Sequence, residues 1–249
     1  MSPSVAPLDF FKLLAHELRW QIIQGLALSD LRVNELVSMT GEPMNLVSYH
    51  LRMLRNAGVV VARRSDADRR DVYYGLDMNS LREMYFEGGQ AIHISLGATP
   101  HPLPLQQAPP TRVLFVCTHN SARSQMAEAL LRARGGISFE VFSAGNQPSN
   151  IRPEVTPALA PFGVALNGQY SKPLTVFSGQ AFDYVITVCD TAREVCPTFE
   201  GRNQKLHWGY ADPTNIADDA QRQTAFTDIA EQLHQRILLF IQNVQHDHS

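Results

Sequence analysis

Cysteine is scarce in this 249-residue chain: there are three, Cys117, Cys189 and Cys196, and the first 116 residues hold none. A disulfide-stapled fold is therefore excluded for the N-terminal part. Long apolar runs are missing as well. None approaches the roughly 18 residues that a membrane span needs, so no membrane partner is expected. Charge of one sign is also missing, with 21 Lys+Arg against 24 Asp+Glu, so no overall basic field points to nucleic acid. The opening `MSPSVAPLDFFKLLAHEL` carries acidic residues in an amphipathic pattern, unlike a secretory leader. The expected location is cytoplasmic, where thiols stay reduced and cysteines serve metals or catalysis more often than disulfides. What the chain does have is 44% hydrophobic and 18% charged residues, the balance of a globular protein long enough for two domains.

The segment `GATPHPLPLQQAPPT`, 97–111, holds five prolines and no Asp, Glu, Lys or Arg. Proline removes backbone donors and resists helix, so this reads as a semi-rigid linker. It divides the chain into a first domain at 1–96 and a second at 112–249. No internal repeat is visible.

In the first domain Phe10, Leu14, Leu18, Ile22 and Leu26 recur every four positions as one helical stripe. `LRVNELVSMTG` predicts a short helix with Val33, Leu36 and Val37 inward, stopped by Gly41. Pro43 opens another helix, with Val47, Leu51 and Leu54 inward and Gly58 as its stop. Two short helices joined by a glycine-containing turn predict a helix-turn-helix. `VVVARRSDADRRDVYYGLD` then predicts a β-hairpin with a charged tip, a wing. Charge is local here. Residues 44–75 carry six arginines (52, 55, 63, 64, 69, 70) and three aspartates (66, 68, 71), which places positive charge on the second helix and wing, where phosphates of double-stranded DNA would lie. Asn45, Ser48, Tyr49 and Arg52, with His50 as a weaker candidate, are expected to face base edges. Arg63, Arg64, Arg69 and Arg70 would meet the backbone.

Residues 8–96, from `FFKLLAHELRWQIIQGL` to `DVYYGLD`, resemble the ArsR-type winged-helix regulators. That resemblance implies a homodimer formed through this domain and DNA release on binding metal or metalloid. Arsenic sensors of the family commonly carry a Cys-Val-Cys run before the recognition helix. Here the stretch is Arg32-Val33-Asn34, without the soft thiolates that hold As(III). His93 and His101 read as surface or linker residues.

The second domain opens with `RVLFVC`, a short buried strand, and continues through Cys117-Thr118-His119-Asn120-Ser121-Ala122-Arg123 into the helix `SARSQMAEALLRARG`. Met126, Leu130 and Ala133 are expected on its buried face, with Gly135 as the stop. A helix N-terminus attracts anions and stabilises a thiolate, and Arg123 adds a planar fork for a tetrahedral oxyanion. Cys117 is thus expected as a nucleophile beside a bound oxyanion, with Ser124 bonding the sulfur and Asn120 bracing the loop. Such an attack needs a proton for the departing oxygen. `KLHWGYADPTN` offers Asp212 as the general acid, stiffened by the following proline.

Loop and Asp-Pro together, over about 112–246, resemble the low-molecular-weight tyrosine phosphatase fold and the arsenate reductases built on it. The implied fold class is α/β with a parallel sheet, after an α winged helix with a β wing. Phosphate-ester hydrolysis needs neither Cys189 nor Cys196, whereas reducing arsenate needs two electrons that thiols supply. By the resemblance, Cys117 attacks arsenate, Cys189 then attacks Cys117 with release of arsenite, and Cys196 attacks Cys189. The resulting disulfide would be reduced by thioredoxin or by glutathione/glutaredoxin, with no tightly bound cofactor. If 189–196 is helical, its end cysteines stand roughly 10.5 Å apart at Cα. A disulfide tolerates less than about 7 Å, so such a helix must unwind, and a mobile segment is expected there. Cys189 must also travel to Cys117. His119 stands where many relatives carry glycine, a variant also met among bacterial arsenate reductases. Some relatives hold potassium through residues matching Asn120, Glu128 and Ser143 plus an aspartate. Thr175 lies near that aspartate's place, and no metal is assigned. `AFTDIAEQLHQRILLFIQNV` predicts a helix with Phe226, Ile229, Leu233, Ile237 and Phe240 on one stripe, closing the sheet. Two other readings fit the same residues: a tyrosine phosphatase, and a transcription factor whose second domain is a non-catalytic oxyanion or redox sensor.

Overall fold

The computed structural model describes residues 6–93, 110–196, 199 and 203–247. The chain forms two compact units, Met1–Pro104 and Leu105–Ser249. The expected linker lies outside the described residues except for Pro110 and Thr111, and Thr111 opens a strand.

In the first unit the long apolar stripe belongs to two helices, α1 (Pro7–Leu14) and α2 (Glu17–Leu28). His16, extended at φ −149° and ψ 125°, breaks them apart. A four-residue spacing persists across such a break, so periodicity alone did not reveal it. Phe10, Leu18, Ile22 and Leu26 still reach one core. α3 (Val33–Thr40) ends at Gly41, whose φ of 73° is left-handed. α4 (Met44–Asn56) follows Pro43 and sends Val47, Leu51 and Leu54 into the same core. The wing is β2 (Val60–Arg64) with β3 (Val72–Leu76). A two-residue strand, β1 (Leu31–Arg32), extends it to an antiparallel sheet of order β1-β3-β2. Arg32 fastens this extra strand by bonding Asp71 at 2.8 Å. α5 (Met78–Ile92) was not anticipated. Its signal was Asp77, which caps it by accepting the Ser80 N–H. Gly88 lets α5 approach α1, since a Cβ there would stand 2.9 Å from the Phe11 ring.

The second unit is built on a parallel four-stranded sheet of order β5-β4-β6-β7. Its strands are β4 (Thr111–Cys117), β5 (Phe139–Gly145), β6 (Tyr184–Thr187) and β7 (Gln204–His207). Val113 to Val116 of β4 are wholly buried, the continuous apolar run of a strand covered on both faces. α6 (Arg123–Gly135) follows β4, and α9 (Asp219–Asp247) packs on α6. The expected stripe Phe226, Ile229, Leu233, Ile237 and Phe240 is buried throughout. α6 departs from the amphipathic expectation. Every residue from Arg123 to Leu131 is buried, while Ala133 faces out, because α6 lies between the sheet and α9. Two further short helices are α7 (Val155–Leu159) and α8 (Asp190–Val195).

Candidate active site

The carboxyl ends of β4, β6 and β7 point to one edge of the sheet, the usual place for a site in a parallel α/β layer. Cys117 ends β4, Arg123 begins α6, Cys189 follows β6, and Asp212 follows β7. Between Cys117 and Arg123 the chain turns within five residues. Asn120 makes that turn at φ 47°, the single non-glycine positive φ among the described residues. Asparagine tolerates this region through its short polar side chain. Its N–H then points at Cys117 Sγ, 3.1 Å away, while Ser124 Oγ lies 2.9 Å from the same sulfur. A backbone N–H that donates and a hydroxyl that can donate thus converge on sulfur, an arrangement suited to an anion.

Asn120 also braces the loop from within. Its Nδ2 donates to Ser124 Oγ at 3.0 Å and to Ser143 Oγ at 2.7 Å. Its Oδ1 accepts the Lys172 N–H at 2.7 Å. Buried Gln125 donates to the Asn120 carbonyl and Oδ1 at 3.0 and 3.1 Å. The backbone of the loop is held on its outer side. The carbonyls of Thr118, His119 and Ser121 accept N–H bonds from Gln147, Ser149 and Arg152. Ala122, the N-cap of α6, has no side chain to cap with, which leaves the helix mouth to a ligand.

Arg123 is buried and spans the site. One Nη donates to the Tyr210 carbonyl at 2.7 Å and the other to Asp212 at 2.8 Å. The second Asp212 oxygen accepts from the Thr214 N–H and hydroxyl at 3.0 and 2.7 Å. Burial pushes the Asp212 carboxyl up, but the Arg123 charge and the Thr214 bonds outweigh it and hold it below its usual range. In the free site Asp212 is therefore an anion tied to Arg123.

Cys189 is buried, and its Sγ lies 3.4 Å from Thr118 Oγ1. The second thiol thus stands against the loop that carries the first. The journey expected of it begins beside that loop. Burial pushes the Cys189 thiol up, with Arg123 and the Thr118 bond opposing. Burial also pushes up Cys196, against the nearby Lys205 charge. Cys189 and Cys196 flank α8 as its N-cap and C-cap residues. Seven steps of helical rise separate their Cα atoms by about 10.5 Å.

Sequence reasoning missed Lys172 and Gly145. Ser143 Oγ donates to Glu128 at 2.5 Å, Arg132 bonds the other Glu128 oxygen, and Lys172 Nζ lies 3.8 Å from Glu128. So Asn120, Glu128 and Ser143 do converge, but Glu128 is faced by two of the chain's own cations, Arg132 and the buried Lys172, the latter three residues before Thr175. The residues present do not fit a metal ion there, since Arg132 and Lys172 side chains already occupy the two oxygens of the carboxylate. A Cβ on Gly145 would stand 2.6 Å from the Thr118 carbonyl. The motif `FSAG` carried no signal for that contact, because it arises only when β5 lies beside β4.

On the first unit, Asn45, Ser48, Tyr49 and Arg52 are all exposed on α4. Their spacing of three, four and seven residues puts them on one helix face. The Arg52 guanidinium lies over the Tyr49 ring at 5.7 Å. His50 is a correction. It is buried, with its ring 4.3 Å from that of His16, so it cannot reach a base edge. Its neighbour Tyr49 faces out because one residue of helix turns a side chain by about 100°. On the wing, Arg64, Arg69 and Arg70 are exposed and Arg63 is half-buried over the Tyr73 ring. Arg70 pairs with Asp68 at 2.6 Å.

The model of the family described as low molecular weight phosphotyrosine protein phosphatase matches residues 112–249, and that of bacterial regulatory protein, arsR family, matches residues 16–61. A protein of Halalkalibacterium halodurans named arsenate reductase is 31% identical over 129 residues, 51% of this chain and 93% of the relative. One of Brevibacillus brevis with the same name is 36% identical over 101 residues, 41% of this chain and 75% of the relative. Among solved structures, a thioredoxin-dependent arsenate reductase of Corynebacterium glutamicum is 25% identical, covers 91% of this chain and 98% of its own, and has a TM-score of 0.45.

Proposed function

Because the chain belongs to the low molecular weight phosphotyrosine protein phosphatase family and carries an arsR-family helix-turn-helix ahead of that domain, we propose that it reduces arsenate to arsenite by a relay of three cysteines and that its first domain binds DNA. The relatives named arsenate reductase support the activity. The observation that carries the relay is the contact of Cys189 Sγ with Thr118 Oγ1, which stations a second thiol at the nucleophile's loop. Hydrolysis of a phosphate ester has no use for it.

Arsenate enters at the mouth of α6 and takes the place of Asp212 as partner of Arg123. The Cys117 thiolate attacks arsenic. An S–As bond forms and an oxygen leaves as water, helped by a proton that passes through Asp212. That carboxylate is ionised in the free site, so its proton comes in with dihydrogen arsenate, which supplies both hydrogens of the departing water and whose negative charge also favours protonation of its neighbour. Cys189, deprotonated, then attacks Cys117 Sγ. The new S–S bond forms as the S–As bond breaks, and the electron pair stays on arsenic, which departs as arsenite. Cys196 attacks Cys189 Sγ and frees Cys117 as a thiolate. Arsenic has gained two electrons, and two thiols have become one disulfide. An external dithiol, thioredoxin or glutathione with glutaredoxin, restores it. Thr118 suits the second step, because its hydroxyl can donate to the developing Cys189 anion.

For the first domain, the exposed face of Asn45, Ser48, Tyr49 and Arg52 is the surface that would enter the major groove, with Arg64 and Arg69 on the flanking backbone. A homodimer through this domain is part of the same proposal. No helix among the described residues is long and apolar enough to cross a membrane, and a cytoplasmic location would keep the thiols reduced between turnovers.

The test is arsenate turnover with thioredoxin and with glutathione/glutaredoxin, run beside each Cys→Ser variant. Loss of repeated turnover is expected in all three variants, with a single arsenite per chain still released by Cys196→Ser, none by Cys117→Ser or Cys189→Ser, and oxyanion binding kept in Cys189→Ser and Cys196→Ser. Aryl-phosphate turnover that survives Cys189→Ser, with no arsenite made by the parent, would make the domain a phosphatase. DNA release on oxyanion binding with negligible turnover would make it a sensor.

A further inference from the structure

His207 and Asp190 have no part in the relay, yet both are almost fully buried beside it. Asp190 is the first residue of α8, directly after Cys189, and His207 ends β7. His207 Nε2 lies 3.0 Å from Asp190 Oδ1, and Nδ1 lies 2.9 Å from Thr187 Oγ1. The Thr187 hydroxyl also faces the Leu206 carbonyl at 3.3 Å. Thr187 and His207 are register partners on β6 and β7, so the ring is mounted on the sheet. Asp190 is mounted on the helix. Their hydrogen bond is a tie between a rigid layer and the short segment that must change shape.

We propose that the Asp190–His207 pair is a latch that holds α8 helical while Cys189 and Cys196 are thiols, and that it opens when their disulfide closes. This rests on the relay described above. With the cysteines at the two ends of α8, closure must bring their Cα atoms from about 10.5 Å to within about 7 Å. Residues 190–195 cannot all stay helical through that change. A bond present in the dithiol form and absent from the disulfide form shifts the equilibrium toward the thiols. The latch therefore keeps Cys189 from closing on Cys196 before it has met Cys117. Asp190 and His207 act through the cysteines and are positioning residues.

The experiment uses the full chain with Cys117→Ser, so that 189 and 196 are the reacting pair. It is equilibrated with oxidised and reduced dithiothreitol. Oxidised dithiothreitol takes two electrons and two protons from the thiols, giving the protein disulfide and the reduced reagent. Asp190→Asn and His207→Gln are each expected to raise the constant for disulfide formation about tenfold, the effect of losing about 1.4 kcal/mol from one charge-assisted hydrogen bond. They are also expected to lower the thermal midpoint of the dithiol form and leave that of the disulfide form in place. A static core contact would lower both midpoints equally and leave the redox constant unmoved, and that result overturns the latch. Should either variant fail to fold, the parent answers alone. Its His207 imidazole nitrogen signals must change between dithiol and disulfide forms, and unchanged signals overturn the proposal. If mass spectrometry finds no 189–196 disulfide in the oxidised parent, the relay itself fails and the latch with it.

Discussion

Gly145 is the residue on which the loop geometry turns. Its α-carbon faces the carbonyls of Cys117 and Thr118 and the Asn120 N–H, and an added Cβ would lie 3.0, 2.6 and 2.8 Å from them. These are backbone atoms, so the loop itself must move. A displacement of about 1 Å at a reacting centre costs on the order of 100-fold in rate. Gly145→Ala is accordingly expected to cut arsenate turnover by about that factor and to weaken inhibition by phosphate, while far-UV circular dichroism stays that of the parent. Retained turnover would mean that the loop has slack the packing does not show. That Cys117, Arg123, Ser124, Asn120 and Asp212 would meet was legible in the sequence, because each belongs to a strand-loop-helix motif or an Asp-Pro turn. Gly145 and Lys172 were not, because their importance lies in what approaches them from another strand.

At the scale of elements, α8 is the piece on whose behaviour the proposed relay depends. Cys196 sits across a helix from Cys189, so Cys196→Ser is expected to stall the relay one step early. Mass spectrometry of that variant after one equivalent of arsenate should show residue 117 joined to 189 and a single arsenite released per chain. A free Cys117 after arsenite release would contradict the order of attack. A second element-scale contact joins the start of α7 to the start of α9. Glu154 accepts from Arg222 at 2.6 Å and from Arg152 at 3.1 Å. Burial pushes the Glu154 carboxyl up, but these arginines outweigh it and hold it at about 2, against 4.5 unperturbed. A carboxyl whose pKa is lower folded than unfolded stabilises the fold above its unfolded value. That contribution fades as pH falls from 4.5 through about 2. Glu154→Gln should therefore lower stability at neutral pH by about 1–3 kcal/mol, with the gap to the parent narrowing below pH 4.5 in urea unfolding. A gap constant with pH would deny the pair that role. Elements differed in legibility for a physical reason. α9 faces the core on one side and showed its stripe, whereas α6 is enclosed on several and its period misassigned Ala133.

At the scale of the whole molecule, two units with different chemistry share one chain. The first unit concentrates arginine on α4 and the wing while the chain as a whole carries a net −3. Removing one phosphate-contacting arginine should lower DNA affinity for all sequences. It should also flatten the plot of log affinity against log salt by about one unit of slope. Arg52→Ala is expected to do this if it meets phosphate. If it meets a base edge instead, it loses discrimination at one position with the salt slope kept. Binding unaffected in both respects would remove this face as the interface. Arsenate turnover is expected to stay at the parent level in Arg52→Ala, since no step of the relay draws on that residue.

The sequence by itself determined the division into two domains, the helix-turn-helix and wing, and the strand-loop-helix and Asp-Pro turn of the second domain. Each of these depends on contacts or preferences within a few residues: turn glycines, a proline at a helix start, apolar spacing, a thiol at a helix mouth. Tertiary structure alone decided which residues meet across distance. It turned His50 inward against His16, set Lys172 before Glu128, pressed Gly145 against the loop, laid Cys189 beside Thr118, and joined Asp190 to His207. Such contacts are made by strand order and by the packing of one layer on another, and no spacing along a single chain encodes them.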